Sequence, residues 1–136
     1  MRLLIDANII LDVLEKREPH YEQSVLIWKL CETEQDEGFV SSLTFANLVY
    51  VMRKEMNPEQ VKSVLEMLRL IFRFEGLKES DLVNAANLCW DDFEDAIQSV
   101  TAERIKADCI ITRNVRDFKY SKVTAFTPAE YLARRQ

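Results

Sequence analysis

The sequence predicts an α/β fold, a three-layer sandwich in which helices cover both faces of a mostly parallel central sheet of four or five strands. Short apolar runs such as Leu3-Leu4-Ile5 are typical of strands buried on both faces. Segments with apolar residues at helical spacing separate these runs along the chain. Such alternation favours a parallel sheet, because each crossover between parallel strands needs a connection as long as a helix.

Five segments are predicted as strands. In chain order they are residues 2–5, 39–41, 72–74, 109–112 and 123–126. The first and the fourth are the clearest, because they are apolar over nearly their whole length. Gly76 closes the third, and the fifth is the weakest of the set.

Seven segments are predicted as helices. They are residues 8–14, 21–31, 42–52, 57–71, 81–89, 93–105 and a short final helix that begins at 127. Asn57 followed by Pro58 predicts an N-cap with proline in the first turn. The apolar side of the helix that follows is explained equally well by a place in the core or by a dimer face. Asp36, in the charged stretch before the second strand, is expected to be solvated.

Length and composition are those of an ordinary soluble protein. The 136 residues fit a single domain, residues 1–136, with 48% hydrophobic and 30% charged residues. No apolar run approaches the roughly 18 residues that a membrane span needs. The opening MRLLIDANII has no signal-peptide cleavage pattern, so we expect a cytoplasmic protein without membrane contact.

The charged and metal-binding residue types exclude several kinds of site. Three cysteines without a CxxC pair and a single histidine do not suggest a zinc site or a disulfide framework. The net charge of −5 does not suggest a general nucleic-acid binder. An excess of carboxylates is still compatible with a bound metal. The positions of the aspartates therefore determine whether a metal site is predicted.

Several aspartates fall where predicted strands end or a helix begins. Asp6 follows the first strand directly, and Asp117 lies a few residues beyond the fourth. Asp92 and Asp95 begin the helix before that strand, and their i, i+3 spacing places them on one helical face. Ligands of open parallel sheets bind beyond the carboxyl ends of the strands. Oxygen ligands without histidine or cysteine favour Mg²⁺ or Mn²⁺. For any one aspartate, a cap or turn is the alternative.

Four segments together resemble the PIN-domain family, and within it the VapC-like toxin ribonucleases. The segments are LIDANIILD (residues 4–12), SSLTFANL (41–48), DFEDAIQ (92–98) and IITRNVRDF (110–118). The resemblance implies a PIN-like fold and a metal-dependent endoribonuclease that hydrolyses RNA phosphodiester bonds. It also implies that Asp6, Asp95 and Asp117 are the catalytic residues and hold Mg²⁺ or Mn²⁺.

Further residues are assigned supporting roles by the same resemblance. The group expected to orient ligands or to touch the substrate comprises Asn8, Asn47, Asp92, Thr112 and Asn114. Arg113 and Arg116 are expected to bind substrate phosphates. Asp12 and Asp92 are equally well explained as outer acids of the site or as residues of a helix surface.

One position departs from the family pattern. Asn47 stands where many members have a glutamate, and an amide brings no charge to a metal. We therefore expect one well-formed metal site and a second that is weak or depends on substrate. Glu94 is not expected to replace the missing acid, since it neighbours Asp95 and should point away from the shared helical face.

The expected partners follow from the implied function. They are an RNA substrate, an antitoxin protein and a second copy of the chain. The alternative, which Asn47 favours, is a catalytically weak or inactive PIN domain that acts as an RNA-binding or protein-binding partner.

Overall fold

The computed structural model describes residues 1–135, in which five strands form one sheet. The strands are β1 (Arg2–Ile5), β2 (Glu37–Ser41), β3 (Arg73–Glu75), β4 (Cys109–Ile111) and β5 (Ala125–Phe126). Their order is β3-β2-β1-β4-β5, and every neighbouring pair is parallel. The predicted fold class is confirmed. The last strand is shorter than predicted because it lies at the edge and pairs with β4 over two residues.

Seven α-helices flank the sheet. They are α1 (Ala7–Leu14), α2 (Tyr21–Glu32), α3 (Ser42–Met52), α4 (Pro58–Ile71), α5 (Glu79–Leu88), α6 (Phe93–Arg104) and α7 (Pro128–Arg135). A 3₁₀ helix at Val115–Phe118, which the apolar pattern did not predict, follows β4. None of the helices within residues 1–135 is both long enough and apolar enough to span a membrane.

Alternate residues of β1 face two separate apolar clusters, which accounts for the three layers. Leu3 and Ile5 pack in the larger cluster, which includes Ile27 of α2. Leu4 points to the opposite face, where it joins Ile110 and Ala102 of α6. The side-chain period of two along a strand thus divides the core between the two helical layers.

The register of β1 brings the ends of three strands together. Ile5 pairs with Ile111 of β4, and Leu4 pairs with Phe39 of β2. All three strands run in the same direction, so the chain leaves each of them at one edge of the sheet. That edge carries Asp6 and, one residue beyond β4, Thr112.

Asp36 is buried, so the prediction that it is solvated was wrong. Its carboxylate accepts hydrogen bonds from the Tyr131 hydroxyl at 2.8 Å and from Arg135 Nε at 3.0 Å. Burial alone would raise the pKa of Asp36, but these hydrogen bonds outweigh it and hold the pKa below its usual value. A charged stretch therefore anchors α7 to the sheet.

Helix α4 contributes to the core on one side and exposes apolar residues on the other, and its use as a dimer face stays a prediction. Val61 and Leu68 are buried in the larger cluster. On its outer side Leu70 is 88% exposed, and Met67 is also exposed. The apolar pattern thus contributes to the core and leaves an apolar surface on the other side.

Gly38 of β2 lies where two buried side chains approach the backbone. A Cβ atom at this position would stand 2.6 Å from Cys31 Sγ and 2.7 Å from Phe72 Cδ1. Cys31 and Phe72 are both buried, and the Phe72 ring packs edge-on against Trp28. Neither neighbour can move aside easily, so the position requires glycine.

We expect Gly38→Ala to lower the free energy of unfolding by about 1–3 kcal/mol, because the added methyl group overpacks the core. Gly76→Ala is the matched control, since a Cβ there meets nothing within 4 Å. It should change stability by no more than about 0.5 kcal/mol. Urea denaturation of both variants checks the difference, and equal effects would contradict this account of Gly38.

Candidate active site

Asp6 is held in place by the groups that surround the end of β1. Its Oδ1 accepts a hydrogen bond from the backbone N–H of Ala7 at 2.8 Å, which caps α1. Its Oδ2 accepts one from Thr112 Oγ1 at 2.7 Å. Its own backbone N–H donates to the Ile111 carbonyl at 3.0 Å, which continues the pairing of β1 with β4. The carboxylate is thus fixed by both neighbouring elements.

The predicted supporting residues around Asp6 form a connected set. The fully buried Thr112 hydroxyl also accepts the backbone N–H of Asn114 at 3.0 Å. Asn8 Nδ2 donates to Asp6 Oδ2 at 3.4 Å, and Asn8 Oδ1 accepts the backbone N–H of Arg113 at 3.3 Å. Asn114 therefore takes part through its backbone, whereas Asn8 and Thr112 act through their side chains.

Asp92 and Asp95 lie together in the first turn of α6. Asp92 is the N-cap, and its Oδ1 accepts the backbone N–H of Asp95 at 3.0 Å. Burial raises the pKa of Asp95 to about 7, and the charges of Asp92, Asp6 and Asp117 add to this effect. Repulsion from three other carboxylates thus favours the protonated form of Asp95.

Asp117 approaches from the 3₁₀ helix and is exposed. Its charge helps to raise the pKa of Asp6, after the larger effect of burial, while the hydrogen bonds from Thr112 and Ala7 oppose that rise. Asp92, Asp95 and Asp117 line an open cleft of about 680 Å³. Arg116 lines the same cleft.

The donor set suits a hard divalent cation, although the side chains do not enclose one as they stand. Among residues 1–135, no three Asp, Glu, His or Cys side chains form a group that could hold a metal ion. The groups that meet here are carboxylate and amide oxygens, which are the ligands that Mg²⁺ and Mn²⁺ prefer. Asp6, Asp95 and Asp117 would have to rotate towards one another to share a cation.

Arg113 contacts a buried acid. Its Nε lies 3.1 Å from Asp12 Oδ2, and Asp12 is completely buried. The same carboxylate oxygen accepts a hydrogen bond from Ser24 Oγ at 3.1 Å. Asp12 is therefore not a helix-surface residue. A phosphate-binding role for Arg113 stays a prediction, and it would have to coexist with this ion pair, whereas Arg116 is exposed.

Helices α3 and α6 are joined by polar side chains that the sequence did not single out as a group. Ser41 Oγ donates to Gln98 Oε1 at 2.6 Å, and Gln98 Nε2 donates to Thr44 Oγ1 at 3.0 Å. One turn later in α3 and one turn earlier in α6, Asn47 Nδ2 donates to Glu94 Oε2 at 3.3 Å. This contact between Asn47 and Glu94 was not predicted, and Glu94 is not among the residues that line the cleft beside Asp92 and Asp95.

Comparisons with known proteins agree on the fold. A family model described as "PIN domain" matches residues 2–116. FitAcB from Neisseria gonorrhoeae has a TM-score of 0.72 at 20% identity, over 93% of this chain and 98% of that chain. VapBC2 from Rickettsia felis, solved with a DNA fragment from the promoter, has a TM-score of 0.71 at 18% identity, over 93% of this chain and 98% of that chain.

A third structure is a sarcin–ricin loop cleaving VapC toxin from Mycobacterium tuberculosis. Its TM-score is 0.64 at 11% identity, over 79% of this chain and 86% of that chain. At these identities the likeness concerns the fold. No curated protein shows significant sequence similarity to this chain.

We expect the stability of the protein to fall as the pH rises from about 5 to about 8 in the absence of divalent cations. The pKa of Asp95 rises from 3.8 to about 7 on folding, so the native state keeps a proton that the unfolded state releases. This contribution is complete below the unfolded pKa and is lost as the pH rises through the folded one. Urea denaturation at the two pH values should show a smaller fall for Asp95→Asn. The same fall in both proteins would contradict the assignment.

Arg113→Met should lower the free energy of unfolding by about 2–4 kcal/mol, because it leaves the buried Asp12 charge without its cation. Arg116→Met is the matched control in the next turn and should change stability by about 0.5 kcal/mol or less. Thermal and urea unfolding compare the two. A loss for Arg113→Met no larger than that of the control would show that the ion pair is dispensable.

Proposed function

Because the chain belongs to the PIN-domain family, we propose that it is a Mg²⁺- or Mn²⁺-dependent endoribonuclease. It hydrolyses RNA phosphodiester bonds and acts as the toxin of a toxin–antitoxin pair. The observation that carries the proposal is the meeting of Asp6, Asp95 and Asp117 beyond the carboxyl end of the sheet. Burial raises the pKa of both Asp6 and Asp95; the charge of Asp117 adds to the rise at Asp6, and the charges of Asp6 and Asp117 add to the rise at Asp95, which is the situation that a bound cation would relieve.

The chain's own residues have separable tasks in this proposal. Thr112 and the Ala7 N–H orient the Asp6 carboxylate and compensate part of its burial. Asp95, in the first turn of α6, would bind the cation as the deprotonated carboxylate, and Asp117 would be a further ligand from the 3₁₀ helix. A bound Mg²⁺ or Mn²⁺ would activate water and neutralise charge on the phosphate.

Substrate contact is assigned to the basic and aromatic side of the cleft. Arg116 and Lys119 line the cleft beside the acids. Tyr120 is 75% exposed, and the Lys119 ammonium lies 5.0 Å from the centre of its ring. Positive charge next to an exposed aromatic ring suits a single RNA strand, which needs phosphate contacts and a surface for base stacking. Such a local patch supports RNA binding by a chain whose net charge is −5.

An antitoxin and a second copy of the chain are the proposed protein partners, in the cytoplasm. Fold neighbours include a toxin–antitoxin complex from Klebsiella pneumoniae and VapBC-1 from nontypeable Haemophilus influenzae. The exposed apolar side of α4, with Leu70 88% exposed, is the kind of surface that a partner would cover.

The second candidate function is a PIN domain that binds RNA or protein without turnover. Asn47 supports it, because an amide in place of an acid reduces the charge available to a second cation. The two candidates differ in one property, namely whether RNA is cut when divalent cations are supplied.

The purified protein should cleave single-stranded RNA in the presence of Mg²⁺ or Mn²⁺ and lose the activity when the cation is chelated. Asp6→Asn should reduce the rate at least about a hundredfold. Asp108→Asn is the control, since Asp108 accepts the backbone N–H of Arg2 at the start of β1, at the opposite edge of the sheet. Equal cleavage by wild type and Asp6→Asn would place the activity elsewhere. RNA binding without cleavage would favour the second candidate.

A further inference from the structure

The cleft lined by Asp92, Asp95 and Asp117, the acid-lined cleft, adjoins a second cavity of about 590 Å³. This side cavity lies between α5, α6 and the segment that follows the 3₁₀ helix. Leu88 and Tyr120 line both cavities, so the two form one continuous groove. The volume falls in the range of about 300–1,000 Å³ that is typical of small-ligand sites. The groove therefore has room beside the acids for a further part of a substrate.

The side cavity differs from the acid-lined cleft in its charge. Arg104 Nε lies 2.8 Å from Asp81 Oδ1, and Lys122 Nζ lies 3.6 Å from Glu103 Oε1. Each acid that lines the side cavity thus has a cation beside it. In the acid-lined cleft, by contrast, aspartates outnumber the basic residues. A cavity with balanced charges suits an uncharged ligand, because it has no net field that would attract an ion.

The walls of the side cavity combine apolar surface with uncharged hydrogen-bonding groups. Leu88 of α5 and Val100 of α6 supply the apolar part. Ser80 and Asn84 precede Leu88 at intervals of four residues, so the three share one face of α5. The exposed amide of Asn84 can both donate and accept hydrogen bonds. A flat ring with polar edges, such as a nucleobase, matches this combination.

Tyr120 stands where the side cavity meets the acid-lined cleft. Its side chain is 75% exposed, although the backbone beside it is held. Phe118 is buried and its carbonyl accepts the backbone N–H of Ser121 at 3.0 Å, while the hydroxyls of Ser121 and Ser99 lie 2.7 Å apart. The ring is thus presented to solvent from a fixed position, with the Lys119 ammonium 5.0 Å from its centre. Such a ring can stack against a base while the neighbouring cation contacts its phosphate.

We propose that the side cavity is a nucleobase subsite, which takes the base next to the scissile phosphate of a single-stranded RNA. Tyr120 stacks against this base, and Asn84 binds its polar edge. The inference rests on the proposed function, because it concerns the same substrate. It adds a source of sequence preference, since the edges of the four bases differ in their hydrogen-bonding groups.

The test is the affinity of the intact protein for a short, fluorescein-labelled single-stranded RNA of mixed sequence, measured by fluorescence anisotropy. Binding is measured in EDTA, and again with Mg²⁺ in an Asp6→Asn background, so that cleavage does not interfere. Tyr120→Ala should weaken binding about fivefold to a hundredfold through lost stacking. Asn84→Ala should weaken it about threefold to tenfold through lost hydrogen bonds. Both side chains are exposed, so neither change should alter thermal unfolding.

Tyr50→Ala and Asn87→Ala are the matched controls. Tyr50 is exposed, with Arg53 and Lys54 at 4.8 and 5.1 Å from the centre of its ring, but it lines neither cavity. Asn87 is exposed on the same helix as Asn84 and also lines neither cavity. Both control variants should bind RNA as the wild type does.

The salt dependence of binding separates a base contact from a general electrostatic effect. Tyr120→Ala and Asn84→Ala remove no charge, so affinity should fall while the slope of log Kd against log salt concentration stays that of the wild type. Arg116→Met removes a cation from the groove and should reduce that slope by about one.

The failure of this inference can be told apart from the failure of the proposed function. Asn84 lines the side cavity and not the acid-lined cleft, so its effect decides. Equal RNA binding by Asn84→Ala and Asn87→Ala would overturn the subsite, whether or not the wild type cleaves RNA. An unchanged affinity in Tyr120→Ala would overturn the stacking role. Weakened binding in both variants of a protein that cuts no RNA with Mn²⁺ would overturn the proposed function and support the subsite. Wild-type protein that binds no RNA in EDTA, together with an Asp6→Asn protein that binds none with Mg²⁺, would overturn both.

Discussion

The pairing of β1 with β2 on one side and β4 on the other is the constraint on which the rest of the structure depends. Because the three strands are parallel and in register, their carboxyl ends form one edge. Asp6 needs no loop of its own to reach that edge, since it is the residue at which β1 ends and α1 begins. The helices that follow the strands then determine which further side chains can approach it.

Acids that lie together at this edge repel one another and lose hydration, and hydrogen bonds compensate for only part of this unfavourable energy. Hydrogen bonds from Thr112 and Ala7 offset some of the burial of Asp6. Asp95 has no comparable donors, and its pKa rises to about 7. The contrast with Asp36 is instructive, because there Arg135 and Tyr131 more than compensate for burial. Compensation is thus stronger at Asp36, which supports the fold, than at Asp95 beside the cleft.

The sequence was sufficient to predict the fold class and the sheet edge at which the acids meet. Strands such as Leu3-Leu4-Ile5 can be recognised in the sequence because burial on both faces leaves no polar position in them. Asp36 was misread, since a charged stretch looks solvated until its partner, about a hundred residues away, is known. The contact of Glu94 with Asn47 was not predicted for a related reason. Helical periodicity gives the spacing of side chains, but the rotation of α6 is fixed by the contact of Gln98 with Ser41 and Thr44.

The groups that contact Asp6 lie far from it along the chain, and this distance determines when the site can form during synthesis. The bond between Thr112 and Asp6 joins residues 106 positions apart, and the pairing of β1 with β4 has the same span. Contacts this distant in sequence form late in folding, because the intervening chain must first be ordered. While β4 is still inside the ribosome, Asp6 of the nascent chain lacks its contacts with Thr112 and with β4. Whatever chemistry the cleft performs is thereby delayed until translation of the domain is nearly complete.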